Sequence, residues 1–590
     1  MHSDAGHHIP NRLSAVTFRA KATLLQSRRA FVNAFTGIHR LRRIESCDFQ
    51  TPIASCSTAL WTDPSPAEQW YQRGKVQNLR LAAARLNGVF IPSGAIFSFW
   101  AQLGRASHFK GYVRGRMLQE GCLIPAIGGG LCQLSNALYQ AALDAGCEIV
   151  ERHPHSRVVP GSATASGRDA TVAWNYIDLR FRPKQPIQLR VYLTASDLHV
   201  ALYEVEAATP ANSAVARPLN ASHPKLQPGA LPIFNDHACE SCGQIAFFRA
   251  DNDATHLKVE HGKAFLLDTA WPEFADYVKS HHSSSDKLAI PLDGVRWDRK
   301  QYAWPTEGFA DVSTAQLTTI LRSLRSRHLA TQGAARQAAL LESARELAGA
   351  LARSLDQHTD EVCISQNLLP FLWSTGVLGG RRVTVLCTQL PLANLQAQLD
   401  RAYQLHPESP TLRDFRAKTW IVEAEAEALQ CAERIVTPHL QVAALFAEKT
   451  HLLEWKMPAV SPQFSVSGEP ASRTILFPCS TLGRKGIYEL REALRDAEIH
   501  LKLGGAVLEH ADFWRGFNVE RVNLDQPHGF AVAVQPSIVE SQPRALLKAL
   551  ASGIPAIATD SCGLTAMQGL TIVPTADATA LRKGILTLLQ

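Results

Sequence analysis

No stretch of this 590-residue chain strings together the apolar residues that a membrane-spanning helix needs, about 20 in a row. The opening residues, Met1 to Pro10, are polar and His-rich, and no apolar core of a signal peptide follows them. A cytoplasmic location is therefore the expectation. Charge of one sign is also scarce: charged residues are 19% of the chain and the net charge is only +7. So mild a balance carries no nucleic-acid signature, and it is compatible with anionic substrates such as nucleotide sugars or with a membrane surface. Cysteine is sparse as well. Twelve cysteines over this length do not make a disulfide framework, and in a cytosolic protein they stay reduced. Hydrophobic residues at 46% exclude a disordered chain, and the length calls for several domains.

What is there is organised around Gly128-Gly129-Gly130-Leu131-Cys132-Gln133, followed by the helix-periodic Leu134, Leu138, Ala141 and Ala142. A Gly-rich turn opening a helix leaves the first side chains accessible and the first N–H groups free. The positive helix end biases a thiol there toward thiolate, which makes Cys132 the leading candidate for a reactive residue. Downstream stand His153 or His155 and then Asp169, in the order nucleophile, base, orienter. A thiol needs a base, and the imidazolium needs a carboxylate to hold its tautomer. That order resembles transglutaminase-type and papain-like thiol enzymes. Two other readings stand beside it. Cys132 is a buried packing residue, as free cysteines commonly are, or the glycines and the helix start bind an anion such as a phosphate or a peptide carboxylate.

Around this stretch the chain reads as a compact region. Residues 11–43 carry eight Arg and Lys side chains among Leu, Phe, Val and Ala. They form either a basic amphipathic helix that touches a membrane or a leader helix packed on the next domain. Val76 to Ala84 is helical and stops near Asn87-Gly88. Ile96 to Trp100, Glu148 to Val150, Asp169 to Trp174 and Asp178 to Arg182 read as strand or extended. Ile187–Leu193 and Leu198–Tyr203 form a hairpin about Ser196-Asp197. Asn78, Asn87-Gly88, Phe97-Ser98-Phe99, Gly111-Tyr112, the glycine–cysteine stretch, Glu151-Arg152-His153, His155-Ser156 and Asp169-Ala170-Thr171-Val172 together resemble the VanW family, over residues 70–205. The resemblance implies an accessory role of the kind found in vancomycin-resistance clusters, without defining a reaction.

Residues 206–232 are rich in Ala, Pro, Ser and Asn and read as a linker. Cys239 and Cys242 then form a CxxC pair, which is either half of a metal site or a reduced structural pair. No second CxxC follows, and no metal is expected.

From residue 312 onward, helices broken near Gly333 give way to strands alternating with helices: Glu361–Ser365, Arg382–Cys387, Arg434–Thr437, Thr474–Phe477, Ile499–Leu503, Ala531–Gln535, Ile554–Thr559 and Thr571–Val573. Such alternation makes parallel sheets covered on both faces, and the break near 456–472 makes two of them. Ligands of these sheets bind at the carboxyl ends of the strands. Two loops fit. One holds Cys479 to Gly486 with Arg484 and Lys485, cations suited to a diphosphate; the other runs from Gln535 to Arg544. In this order they resemble the nucleotide-sugar half of retaining, group 1 GT-B glycosyltransferases, well over 470–590 and faintly over 310–455. The resemblance implies that Lys485 meets the donor phosphates and Glu540 the donor sugar. The family's ribose-holding glutamate is Lys548 here, and its arginine falls near Ser480; Arg484 and Arg544 are able to compensate for the lost phosphate contacts, whereas the ribose contact is harder to replace, which leaves an altered donor or a lost transferase activity as alternatives.

The expected organisation is a basic leader (1–69), an α+β VanW-like domain (70–205), a linker (206–232), a CxxC segment (233–310), a degenerate Rossmann unit (311–455) and a nucleotide-sugar-binding Rossmann unit (456–590). The expected activity is sugar transfer from a nucleotide-sugar donor to a cell-envelope glycan or its precursor, with no cofactor beyond the donor and no nucleic acid. The alternatives are a thiol enzyme acting on amide bonds through Cys132 and a non-catalytic scaffold of an envelope pathway.

Overall fold

The computed structural model describes residues 12–36, 38–44, 51–62, 66–119, 122–155, 167–205, 262–327, 333–459, 473–510, 512–524 and 529–590. The linker, the sequence around it and the CxxC pair lie outside the described residues. The chain divides into two compact units: residues 1–261 with the loop 375–381, and residues 262–374 with 382–590.

The first unit is α+β. Its elements are α1 (Arg12–Phe35), β1 (Ala54–Ala59), α2 (Pro66–Leu86), β2 (Phe90–Ile91), β3 (Phe97–Ser98), α3 (Phe99–Leu103), β4 (Arg114–Gln119), β5 (Cys122–Ile127), α4 (Leu131–Asp144), β6 (Glu148–Glu151), β7 (Arg180–Arg182), β8 (Ile187–Leu193) and β9 (Asp197–Glu204). The expected hairpin is β8–β9, paired from Ile187↔Glu204 to Leu193↔Leu198. Flanked by β1 and β2 it makes a four-stranded antiparallel sheet; β3-β7-β6 and the hairpin β4–β5 are separate. Leu79 and Leu86 of α2, Leu134 and Leu138 of α4, and Leu189, Val200 and Phe181 of the strands fill one core.

Two local expectations differ. The run Ile96 to Trp100 contributes only the two residues of β3 and then turns into α3, because Ser98 caps that helix, its Oγ accepting from the Ala101 N–H at 3.2 Å. Asp169 to Trp174 forms no strand beyond a bridge at Ala173. Its backbone is satisfied from α4 instead: the Ala170 N–H donates to Asn136 (2.8 Å) and the Ala170 carbonyl accepts from Ser135 (2.5 Å).

The second unit is α/β, with two parallel sheets. The first is built from β10 (Gly262–Leu266), α5 (Pro272–His281), β11 (Lys287–Ile290), β12 (Asp311–Thr314), α6 (Gln316–Arg327), α7 (Ala334–Leu351), β13 (Thr359–Ser365), α8 (Leu369–Ser374), β14 (Arg382–Leu386), α9 (Leu392–Leu405), α10 (Thr419–Cys431), β15 (Arg434–Thr437), α11 (Leu440–Leu445) and β16 (Thr450–Leu452). The second contains β17 (Thr474–Phe477), α12 (Ile487–Ala493), β18 (His500–Leu503), β19 (Val519–Arg521), β20 (Val532–Gln535), α13 (Arg544–Ala551), β21 (Ala556–Thr559), β22 (Leu570–Val573) and α14 (Ala578–Leu588). The strand orders are β12-β11-β10-β13-β14-β15-β16 and β19-β18-β17-β20-β21-β22. Both follow the doubly wound pattern in which the order reverses beside the first strand, between β10 and β13 and between β17 and β20. The crevice at such a reversal opens outside the carboxyl ends of the strands.

The first sheet begins at Gly262, within the stretch the sequence reading sets apart as a CxxC segment. β10 pairs with β13 and β11, so residues 262–314 supply three of its strands. β10 and β11 are short and mostly buried, and β12 is a short, mostly exposed edge strand, so none of the three shows the alternation that marks a half-exposed strand.

Candidate functional site

In the first unit the three glycines are explained by close approach. Gly130 opens α4 with φ 92°, a left-handed conformation. A Cβ on Gly129 would fall 2.1 Å from the Gly115 carbonyl oxygen, so the turn is pressed directly on β4. Asn78 locks it from α2: Nδ2 donates to the carbonyls of Gly129 (2.9 Å) and Val113 (3.0 Å), and Oδ1 accepts from the Val113 N–H (2.9 Å).

The structure brings His155 and Asp169 together. The His155 N–H and Nδ1 both lie 2.6 Å from Asp169 Oδ2, and Arg152 Nη2 donates to Oδ1 at 2.7 Å. Burial works against the Asp169 carboxylate, but the His155 hydrogen bonds and the charges of His155 and Arg152 outweigh it and hold the pKa below the usual range. His153 lies apart and exposed, its Nε2 3.3 Å from Glu151. Cys132 packs against the core, and its thiol points to the Val172 carbonyl at 3.9 Å rather than to an imidazole. Burial raises the thiol pKa, the contact with Val172 lowers it and the Asp169 charge raises it, for a net rise. The net shift is upward, opposite to the shift toward thiolate expected of a helix start, because desolvation outweighs the helix end here.

In the second unit the loops after β17 and β20 flank the reversal of the sheet and are fastened to each other. The Arg484 carbonyl accepts from the N–H groups of Ile538 (2.9 Å) and Val539 (3.1 Å). Gly486 sits at φ 73°, and a Cβ there would lie 1.7 Å from the Pro536 carbonyl oxygen. That zipper sets Lys485 against Glu540, and the ammonium donates to Oε2. Gln535 also donates to Oε2, while Oε1 accepts from the N–H groups of Ser541 (2.9 Å) and Gln542 (3.1 Å). Burial alone would raise the Glu540 pKa, but the Lys485 charge and hydrogen bond bring it down to about 2. Glu540 is therefore a permanent acceptor, suited to hydroxyl donors.

The other two expected cations have partners of their own. The Arg484 guanidinium lies 4.4 Å over the Phe415 ring, with its Nε buried and unpaired. Arg544 forms a two-pronged ion pair with Glu273 of α5, Nη1 to Oε1 at 2.7 Å, beside Trp271 and Trp455. Arg544 thus ties the second sheet to the first instead of facing the Lys485 loop.

Residues the sequence reading passed over also converge here. His439, just beyond β15, has Nε2 3.1 Å from the Glu540 carbonyl and is buried. Glu509 caps the Lys485 loop by accepting from the Gly483 N–H (3.0 Å), Thr411 (2.5 Å) and Tyr488 (2.9 Å). The signal for His439 was its place at the carboxyl end of a parallel strand; Glu509 lies in a loop and gave none. A cavity of about 590 Å³ opens beyond β10 and β11, lined among others by Trp297, Arg299, Tyr302, Arg322, Arg325 and Arg336. Among the described residues, no cluster of His, Cys, Asp and Glu is placed to hold a metal, and no helix is long and apolar enough to cross a membrane.

Residues 74–203 match the family model described as VanW like protein, and residues 527–590 match that of Glycosyl transferases group 1. Over 144 residues the chain is 35% identical to the Vancomycin B-type resistance protein VanW of Enterococcus faecalis, 24% of this chain and 52% of that protein. Over 133 residues it is 34% identical to the uncharacterized protein YoaR of Bacillus subtilis, 22% of this chain and 43% of that one. The chain thus spans about half the length of the curated relatives it matches. Among solved structures, it is similar to the lipopolysaccharide outer core galactosyltransferase WaaB at 14% identity and a TM-score of 0.32, over 56% of this chain and 91% of that one. It is likewise similar to sucrose-phosphate synthase of Thermosynechococcus elongatus at 14% identity and a TM-score of 0.33, over 56% and 90%. The chain therefore joins a VanW-like region to a glycosyltransferase-like module.

Proposed function

We propose that the second unit is a retaining glycosyltransferase that moves a sugar from a nucleotide-sugar donor to a hydroxyl of a cell-envelope glycan or its precursor. The observation that carries this reading is the Lys485–Glu540 pair held across the reversal of the second sheet. The bond from the anomeric carbon to the donor phosphate breaks, and the nucleoside diphosphate leaves with the electron pair. The acceptor hydroxyl passes its proton to the oxygen of the departing diphosphate as its own oxygen bonds to that carbon. Lys485 offsets the charge growing on the leaving diphosphate, the main electrostatic task of the step. Glu540 accepts hydrogen bonds from the sugar hydroxyls and fixes the anomeric carbon. Arg484 adds positive potential to the loop.

Isothermal titration of the full chain with UDP, GDP and TDP sugars tests the reading. Saturable binding of one of them, abolished in Lys485→Met, is expected; a folded protein that binds none of them overturns it. For the thiol alternative, the His155–Asp169 pair speaks in favour, and the partly buried Cys132, whose thiol faces the Val172 carbonyl and not an imidazole, speaks against.

A further inference from the structure

In the second unit, the loop that follows α9 holds a strained residue against the Lys485 loop. Phe415 has φ 63°, a left-handed backbone that a bulky side chain adopts only at a cost in free energy. Its neighbours enforce it from both sides. Arg416 donates to the Asp414 carbonyl at 2.8 Å and to Asp400 of α9 at 2.6 Å, and the Ala417 N–H donates to Gln396 of α9 at 2.6 Å. The same loop is pressed on the start of the Lys485 loop. Thr411 accepts from the Gly483 N–H at 2.9 Å, and a Cβ on Gly483 would fall 2.6 Å from Leu412 Cγ and 2.8 Å from Ser409 Oγ. Glycine would take the backbone of residue 415 without strain, so what phenylalanine adds there is its ring.

That ring lies under Arg484, 4.4 Å from the guanidinium carbon. Among the described residues the guanidinium has no hydrogen-bond partner. Its Nε is buried and unpaired. Glu540 and Asp414 act on it through their charge, but the Glu540 carboxylate is taken by Lys485 and Gln535, and Asp414 forms no ion pair with it. A buried donor left unpaired is costly, so this one is set for an acceptor that the protein does not itself supply. A guanidinium stacked on an aromatic face keeps its in-plane N–H groups for a forked grip on an oxyanion.

We propose that Phe415 is a positioning residue: its strained backbone sets the ring as a platform that fixes Arg484, whose free N–H groups take a diphosphate, that of the nucleotide-sugar donor. This role rests on the donor reading of the second unit and deepens it, since a loop of the first sheet then shapes the phosphate grip of the second.

Calorimetric titration of the full chain with inorganic pyrophosphate at constant ionic strength tests it, beside thermal unfolding of the same variants. Phe415→Tyr keeps the ring and should bind as the wild type does. Phe415→Leu keeps apolar bulk but loses the aromatic face, and should bind about tenfold more weakly with little change in unfolding temperature. Phe415→Gly relieves the backbone, so it should unfold at a higher temperature than Phe415→Ala and yet bind no better. In an Arg484→Met background, where affinity is already lower, Phe415→Leu should weaken binding no further. Wild-type affinity in Phe415→Leu overturns the proposal, as does a further loss in the Arg484→Met background. So does an affinity that merely tracks unfolding temperature across the variants, or a wild type that does not bind pyrophosphate. The expected variant pattern in a protein that binds no nucleotide sugar would sink the transferase reading and still support Phe415 as the platform of a diphosphate grip.

Discussion

At Glu540, burial and charge oppose each other, and charge wins only through Lys485. The folded-state pKa of about 2 lies below the ordinary 4.5. A carboxylate depressed in this way stabilises the fold fully above the unfolded value and loses that contribution as pH falls through the folded one. Stability drawn from this group is therefore present above pH 4.5 and disappears between 4.5 and 2. The shift corresponds to about 3 kcal/mol. Urea unfolding should show the wild type losing more stability between pH 6 and pH 3 than Glu540→Gln does; equal losses would place the depression elsewhere. The same pair sets the cost of removing its cation. Lys485→Met leaves a buried carboxylate without its partner and should cost about 3–5 kcal/mol. The double variant Lys485→Met with Glu540→Gln should recover much of that. If it unfolds as easily as the single variant, the two residues are not coupled.

Among elements, the two loops of the second sheet hold each other by a contact with no spare room. Gly486 is both left-handed and pressed on the Pro536 carbonyl, so Gly486→Ala must either strain the backbone or part the loops. The expected loss is about 1–3 kcal/mol, and donor affinity should fall with it, since Lys485 is the preceding residue. Thermal unfolding and titration of that variant check both, and an alanine that costs nothing in either would show that the loops are not zipped. The sequence displayed this arrangement well. The strands Arg434–Thr437 and Thr474–Phe477 are legible because each is a short apolar run between polar turns, and Lys485 and Glu540 follow because their loops leave such strands. What stayed hidden has a common cause: it depends on partners distant in sequence. Ala264 to Leu266 reads as any buried apolar run until β13 pairs with it. Asp169 to Trp174 alternates like a strand, yet α4 takes its backbone groups. Cys132 stands at a helix start that favours thiolate, yet the core around it decides the opposite. Arg544 lies among donor-loop residues, yet Glu273, 271 positions earlier, claims it.

On the scale of the whole molecule, a net charge of +7 over 590 residues is too weak to direct association, so attraction to a surface has to come from one place. α1 offers it. One side of this helix is docked on its own unit: Arg29 pairs with Glu151 at 2.5 and 2.7 Å, and Asn33 accepts from Arg180 at 2.8 Å. The other side leaves Leu24, Phe31 and Phe35 between 68 and 76% exposed, with Lys21 and Arg28 exposed among them. Apolar rings flanked by cations are the composition of a helix that lies in a membrane interface, where the rings enter the acyl boundary and the cations meet anionic headgroups. We therefore expect the full chain to sediment with vesicles containing phosphatidylglycerol and much less with pure phosphatidylcholine, with binding that declines as salt rises. Replacing Phe31 and Phe35 by serine should weaken vesicle binding about tenfold or more, without disturbing the Arg29–Glu151 contact on the docked side. Binding that is indifferent to lipid charge, or to loss of both rings, would leave α1 as a packed leader helix.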